Sequence, residues 1–286
     1  MYPNKKYKMM NNQKVWLITG ASKGLGLALT KLALSQGQKV VATSRNIEDL
    51  KTSVPENPEL FLPLKVDITS DKEVKNAIEQ CIEKFGRIDV VVNNAGYSLV
   101  GSMEEMTDEE FRKTVGVNLF GTVNIIRNAM PYLRQQQSGH IINIASNAGY
   151  VGFANATSYN AAKFAVIGLS EGLAAEVSPF GIKVTVVAPG QFRTSFMDKG
   201  SMTFAENKIE VYGLAKAEKM WTDFSGQQTG DPEKLVKILT EIVELETPPL
   251  RLLLGPDTFE LVKQQREQEM LEFEAWKHLT LSTNFD

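Results

Sequence analysis

Three side chains between Ser146 and Lys163 are suited to moving a proton to or from an oxygen atom. Tyr159 and Lys163 stand four apart at the start of a helical pattern, a spacing that puts both on one helix face. Alone, a phenol of pKa about 10 and an ammonium of about 10.4 are a poor acid and a poor base at neutral pH. Side by side, the cation favours the phenolate, so Tyr159 is expected to have a lowered pKa and to exchange a proton near neutrality. Ser146 ends the apolar run Ile141-Ile142-Asn143-Ile144-Ala145 and would hydrogen-bond the oxygen on which charge develops. Tyr-x-x-x-Lys also occurs at Tyr2/Lys6, in a polar tail containing Pro3, and at Tyr212/Lys216. Only Tyr159/Lys163 has a serine at a strand end before it and a long helix after it.

A second constellation lies near the N-terminus. Val15-Trp16-Leu17-Ile18-Thr19 reads as a buried strand, and Gly20-Ala21-Ser22-Lys23-Gly24-Leu25-Gly26 turns it into a helix running to about Ser35. Glycines let backbone N–H groups approach a pyrophosphate, and a helix N-terminus adds positive potential. At the end of the next strand, Lys39 to Ser44, a dinucleotide fold places the group that meets the adenosine ribose. An acidic residue there would bond the 2′-hydroxyl of NAD, whereas this chain offers Ser44 and Arg45. A guanidinium suits a 2′-phosphate, and Lys23 adds a second cation; the competing reading pairs Arg45 with Glu48 or Asp49. The expected cofactor is NADP(H), with NAD(H) as the alternative.

The elements between these motifs alternate. Strands are predicted at 60–66, 88–92, 141–145, 182–188 and 250–254, and helices at 71–85, 107–134, 158–177, 232–245 and 258–276. Such alternation implies parallel pairing with right-handed crossovers, hence an α/β fold: a Rossmann-type doubly wound parallel sheet of about seven strands with helices on both faces. Asp67, Asn94 and the Pro189-Gly190 turn would all lie at the carboxyl ends of strands, where such folds bind ligands. Residues 196–230 read as an irregular segment carrying Met197, Met202, Phe204, Tyr212, Leu214, Trp221 and Phe224, a lid that either meets an apolar substrate or packs onto the body. The last helix carries Phe259, Val262, Phe273 and Trp276, for packing on its own chain or against a subunit.

Composition narrows the function classes. A length of 286 residues, 43% of them hydrophobic, supports one α/β domain from residue 13 onward, with residues 1–12 as a disordered tail and 256–286 as a C-terminal helix and tail. A formal charge of -3 without a basic block gives no footprint for nucleic acid. No apolar run approaches the ~18 residues of a membrane span, and the first twelve residues lack a signal peptide's apolar centre, so a cytoplasmic protein is expected. The lone Cys81 reads as a packing thiol. With only His140 and His278, neither a metal cluster nor a Ser-His-Asp arrangement is expected.

Taken together the motifs resemble the short-chain dehydrogenase/reductase family, in its shorter single-domain branch and nearest its hydroxysteroid and retinol dehydrogenase side. Thr19-Gly20-x-x-x-Gly24-x-Gly26, Asn93-Asn94-Ala95-Gly96, Asn118, Ser146, Tyr159-x-x-x-Lys163 and Pro189-Gly190-x-x-x-Thr194 occur in order and at family spacing. The resemblance implies Tyr159 as general acid/base and Ser146 as the group orienting a substrate carbonyl or hydroxyl. It implies that Lys163 lowers the tyrosine's pKa and bonds the nicotinamide ribose, and that Asn118 holds a water in a proton relay. It further implies a cofactor site made of Gly20, Ser22, Lys23, Gly24, Leu25, Gly26, Arg45, Asp67, Ile68, Asn94, Ala95, Gly96, Pro189, Gly190 and Thr194 with Tyr159 and Lys163. The expected partners are a small carbonyl or alcohol substrate and further copies of the chain, as a homodimer or homotetramer. The alternative from another class, a protein that senses NADP(H) without catalysis, needs the glycine turn but not Asn118, Ser146, Tyr159 and Lys163.

Overall fold

The computed structural model describes residues 13–198 and 200–285; the expected N-terminal tail, with Tyr2 and Lys6, lies outside them. In chain order the strands are β1 (Val15–Thr19), β2 (Lys39–Ser44), β3 (Phe61–Lys65), β4 (Val90–Asn93), β5 (Ser98–Val100), β6 (Gly139–Ile144), β7 (Ile182–Pro189), β8 (Met202–Phe204) and β9 (Arg251–Leu254). Seven form one sheet in the order β3-β2-β1-β4-β6-β7-β9, every pairing parallel. The helices are α1 (Gly24–Ser35), α2 (Ile47–Ser53), α3 (Asp71–Phe85), α4 (Asp108–Val115), α5 (Gly121–Gln136), α6 (Thr157–Val177), α7 (Leu214–Phe224), α8 (Pro232–Val243), α9 (Pro256–Ala275) and α10 (Lys277–Leu281).

Period-2 alternation within the strands separates two cores. Val15 and Leu17 of β1 face one side with Val91 and Ile141, under Ile78 of α3, Ile125 and Leu133 of α5 and Leu173 of α6. Trp16 and Ile18 face the other with Val92 and Ile142, under Leu29 and Ala33 of α1 and Leu235 and Leu239 of α8. Each fully buried Leu or Ile contributes about 1.5–3 kcal/mol, so both faces must be covered, as a parallel sheet requires. Cys81 belongs to the first core, and burial pushes its thiol up to about 12; it is an inert packing group.

Four features depart from the reading of the sequence. The helix expected over 107–134 is broken by a π-helical turn at Gly116–Phe120, which separates α4 from α5. The short α2, capped by the Asn46 side chain accepting from Glu48 N, was not expected. Residues 196–230 are more ordered than predicted: β8 pairs in parallel with β5 as a separate two-stranded sheet, and α7 follows. In α9 the expected apolar stripe divides, because Thr258 and Val262 are buried on the body while Phe259, Phe273 and Trp276 are exposed.

Buried His140 in β6 ties stability to pH. Its Nε2 lies 2.9 Å from Thr185 Oγ1, which donates to Pro249 O at 2.7 Å, so the histidine is the donor. Burial lowers its pKa from 6.5 to about 3. Between those values the unfolded chain binds the proton and the folded one does not, so stability is present above pH 6.5 and is lost as pH falls. Between pH 7 and pH 5 the loss is about 2 kcal/mol. Urea unfolding at both pH values checks this, with His140→Gln keeping a donor but not the titration. A wild type and variant with the same pH dependence would refute it.

Candidate active site

The glycine turn sits at the carboxyl end of β1. Gly20 has φ +64° and Gly24 φ +55°, values that disfavour a side chain, and a Cβ at Gly20 would lie 2.7 Å from Ala95 Cα. Gly26 is packed against Gly20 O and Asn94 Nδ2 and has no room for a side chain. Whereas α3 and α4 are capped by the Ser70 and Thr107 side chains, α1 has no side-chain cap and no acidic residue in its first turn. Its first N–H groups therefore face the adjoining cavity without a protein side chain to satisfy them, the arrangement that suits a phosphate. Asn94 braces the turn: its Nδ2 donates to Thr19 O at 2.9 Å and Gly20 O at 3.1 Å, and its N–H donates to Thr19 Oγ1 at 3.0 Å.

Arg45 and Lys23 are exposed on the rim of this end. Glu48 pairs with Lys51 at 3.1 Å and Asp49 accepts from Asn46 Nδ2 at 2.9 Å. Among the described residues Arg45 enters no ion pair, so its competing structural role is not realised. Asp67 closes its own turn, its Oδ1 accepting from Thr69 N at 2.9 Å and Thr69 Oγ1 at 2.7 Å; Asp67 and Ile68 both line the cavity.

At the other end four side chains converge. Tyr159 and Lys163 share one face of α6, are 8% and 4% exposed, and place the ammonium 5.6 Å from the phenol ring centroid. Lys163 Nζ donates to Ile144 O at 2.8 Å, which ties the helix to the end of β6 beside Ser146. The Ser146 hydroxyl donates to Asn147 Oδ1 at 3.1 Å and accepts from Ala148 N at 3.2 Å. Asn118 sits in the π-helical turn, its Nδ2 donating to Tyr97 O and Thr114 O, both at 2.9 Å. Its Oδ1 is buried without a partner, and a Cβ on Gly96 would lie 2.5 Å from that oxygen and 3.6 Å from Lys163 Nζ. Gly96 thus lets the asparagine carbonyl and the lysine ammonium come together, and the unpaired oxygen is suited to hold a water. The wider π turn explains why a modest helix former belongs there.

One expectation is corrected. Burial, rather than the lysine, dominates the acidity of Tyr159: it pushes the phenol up to about 12, with the Ser146 hydroxyl pulling in the opposite direction. Lys163 is itself lowered to about 8 by burial, which disfavours its charged form. In the protein alone, burial thus works against the phenolate.

A cavity of about 1520 Å³ joins the two ends. Every residue assigned to the site from the sequence lines it except Gly26, which packs beneath the turn, and Asn118, whose carboxamide lies behind Gly96; Pro189, Gly190 and Thr194 form its far wall. Residues not anticipated also line it: Asn147, the stretch Phe153 to Ala156, Gln191, Met220 and Asp257. Asn147 and Phe153 lie inside the Ser146 to Lys163 stretch, but nothing in their types marks them; their role comes from the path of the loop.

The segment above the cavity both lines it and packs on the body. Met197, Met202 and Trp221 face the cavity and join a cluster with Leu99, Val100 and Met106. Glu105, fully buried, fastens this segment: its carboxylate accepts from Ser102 N and Ile209 N, each at 2.9 Å. Burial raises the Glu105 pKa, but those amides outweigh it and hold the carboxyl below its ordinary range. Glu110 accepts from Glu206 N at 3.0 Å, and Tyr212 donates to Glu104 at 2.8 Å. Tyr212 and Lys216, the third Tyr-x-x-x-Lys pair, therefore have a structural tyrosine.

Fold and site together define a class: a parallel α/β protein with a glycine turn and an uncapped helix at one end of a long cavity and a serine, tyrosine and lysine at the other. The family model for short chain dehydrogenases matches residues 14–203. Oxidoreductase BOA17 of Botryotinia fuckeliana is 39% identical over 274 residues, covering 94% of this chain and 99% of that protein. A 3-ketodihydrosphingosine reductase of Bacteroides thetaiotaomicron is 38% identical, covering 85% and 88%. The crystal structure of a short-chain dehydrogenase from Streptomyces avermitilis superposes with a TM-score of 0.88 at 35% identity, covering 96% and 100%. The chain belongs to the short-chain dehydrogenase family and is an oxidoreductase of that family.

Proposed function

We propose that the protein is an NADP(H)-dependent carbonyl reductase acting on a hydrophobic ketone or aldehyde. The observation that carries this reading is the convergence of Ser146, Tyr159, Lys163 and Asn118 at one end of a cavity whose other end presents an uncapped helix and an arginine that has no ion-pair partner among the described residues. A nicotinamide bound there would supply the hydride. Ser146 holds the substrate oxygen, and Tyr159 gives its phenolic proton to that oxygen as the carbonyl becomes an alcohol. Lys163 would hold the nicotinamide ribose, and a water taken up at the buried Asn118 Oδ1 would link the lysine to the proton that replaces the one lost.

Gly20, Ser22, Lys23, Gly24, Leu25 and Gly26 would hold the pyrophosphate, with Arg45 on the 2′-phosphate. Asp67, Ile68, Asn94, Ala95 and Gly96 would meet the adenosine half, and Pro189, Gly190 and Thr194 the nicotinamide half. For the substrate, Phe153, Phe196, Met197, Met202, Met220 and Trp221 supply an apolar wall. The name of the Bacteroides relative, a reductase of a keto group, is consistent with this class. Optical loss of NADPH across a panel of long-chain ketones, steroids, retinoids and aldehydes tests the reading. Turnover of apolar carbonyls above small polar ones is expected; turnover confined to small polar ones would refute the hydrophobic assignment.

A further inference from the structure

The first turn of α9 sends a carboxylate to the far wall of the cavity, and no role described above uses it. Asp257 Oδ2 accepts a hydrogen bond from Gln191 N at 2.9 Å. The same carboxylate fills the space above Gly190, so a side chain at residue 190 would collide with both of its oxygens. The carbonyl of Gln191, in the next peptide, is also taken: Gly230 N donates to Gln191 O at 3.0 Å, and Arg193 N donates back to Gly230 O at 2.9 Å. Behind it, Gly190 N donates to Leu254 O at 2.9 Å, continuing the β7 and β9 register in which Pro189 faces Leu254. Gln191 is thus a junction. Its N–H is held by the C-terminal helix and its carbonyl by the last residues of the segment over the cavity.

We infer that Asp257 is a positioning residue for the nicotinamide half of the dinucleotide site, holding the Gly190–Gln191 peptide from the start of the C-terminal helix. The inference rests on the function proposed above, in which the Pro189-Gly190 turn meets the nicotinamide. Asp257 acts through the peptide and not on the reacting atoms. A charge-assisted bond from carboxylate to backbone N–H is among the stronger hydrogen bonds, and only Asp257 supplies it here. Asparagine at residue 257 retains an acceptor oxygen at the same reach; alanine has none.

The test measures binding and backbone exchange rather than turnover. NADPH affinity, read from the fluorescence of the reduced nicotinamide, is expected to weaken about tenfold in Asp257→Ala and less than about threefold in Asp257→Asn. Adenosine 2′,5′-bisphosphate, which lacks the nicotinamide half, is expected to bind all three proteins alike. Hydrogen exchange is expected to show loss of protection at the Gln191 amide in the alanine variant alone. Unchanged exchange and NADPH affinity in Asp257→Ala, with normal wild-type binding, would overturn the inference while leaving the proposed function standing. Equal weakening of both ligands would overturn it as well, by showing general damage. A wild type that binds neither NADPH nor NADH would overturn the proposed function, and the inference with it.

Discussion

Replacing Tyr159 by phenylalanine is expected to reduce carbonyl reduction about a thousandfold while NADPH affinity stays within about threefold. The substitution removes one hydroxyl from a ring that is 8% exposed and packs 6.2 Å from the Phe196 ring, so the cavity wall keeps its shape. What is lost is the one phenolic proton facing the cavity beside Ser146. Lys163 does not replace it, because its ammonium is held at Ile144 O, 2.8 Å away, and next to Gly96, where it can serve the relay but stands behind the phenol. Pre-steady-state mixing with saturating NADPH separates this from weakened binding. A variant that keeps more than a tenth of wild-type turnover would show that another group delivers the proton. A variant inactive in turnover yet fully competent in the cell would instead favour a dinucleotide sensor, whose output needs no catalysis.

The second large effect concerns the choice of cofactor. Arg45→Asp is expected to weaken NADPH about a hundredfold and to strengthen NADH, reversing the preference. The guanidinium stands at the end of β2 with no acidic partner among the described residues, since Glu48 and Asp49 are engaged by Lys51 and Asn46. A carboxylate there would repel a 2′-phosphate and accept from a 2′-hydroxyl. Lys23 remains on the same rim, so NADPH binding is reduced and not abolished. Titration of each dinucleotide against wild type and variant decides it. Equal affinities for NADPH and NADH in the wild type would remove Arg45 from the role assigned to it.

The parallel sheet was legible because it depends on local pattern. Each strand of the main sheet is a short apolar run bounded by turn residues, and each helix between strands has its own periodicity and often its own cap, as at Ser70. The chemistry of the site was legible for a related reason, since strand ends and one helix face fix where Ser146, Tyr159 and Lys163 must lie. The π-helical turn was marked only by Asn118, a modest helix former inside an expected helix, which hints at a local distortion without specifying five residues of wide helix. The pairing of β5 with β8 and the Glu105 anchor were hidden by distance along the chain: Ser98 meets Met202, and Glu105 meets Ile209. The acidity of Tyr159 was misjudged from adjacency alone. Spacing shows that a lysine is near, but only the buried surroundings show that desolvation outweighs it.

The Glu105 anchor bears on how far this protein's specificity can be treated as an exchangeable module. The segment over the cavity is one surface made from two lengths of chain, with residues 97–110 supplying one edge and 195–230 the other. A graft of residues 195–230 alone whose backbone does not bring an N–H to the place of the Ile209 amide would leave a buried carboxylate short of a donor, a loss of about 1–3 kcal/mol. A change of substrate range therefore has to move both lengths together, whether in a laboratory chimaera or along a lineage. The unit of exchange is a pair of loops far apart in the gene.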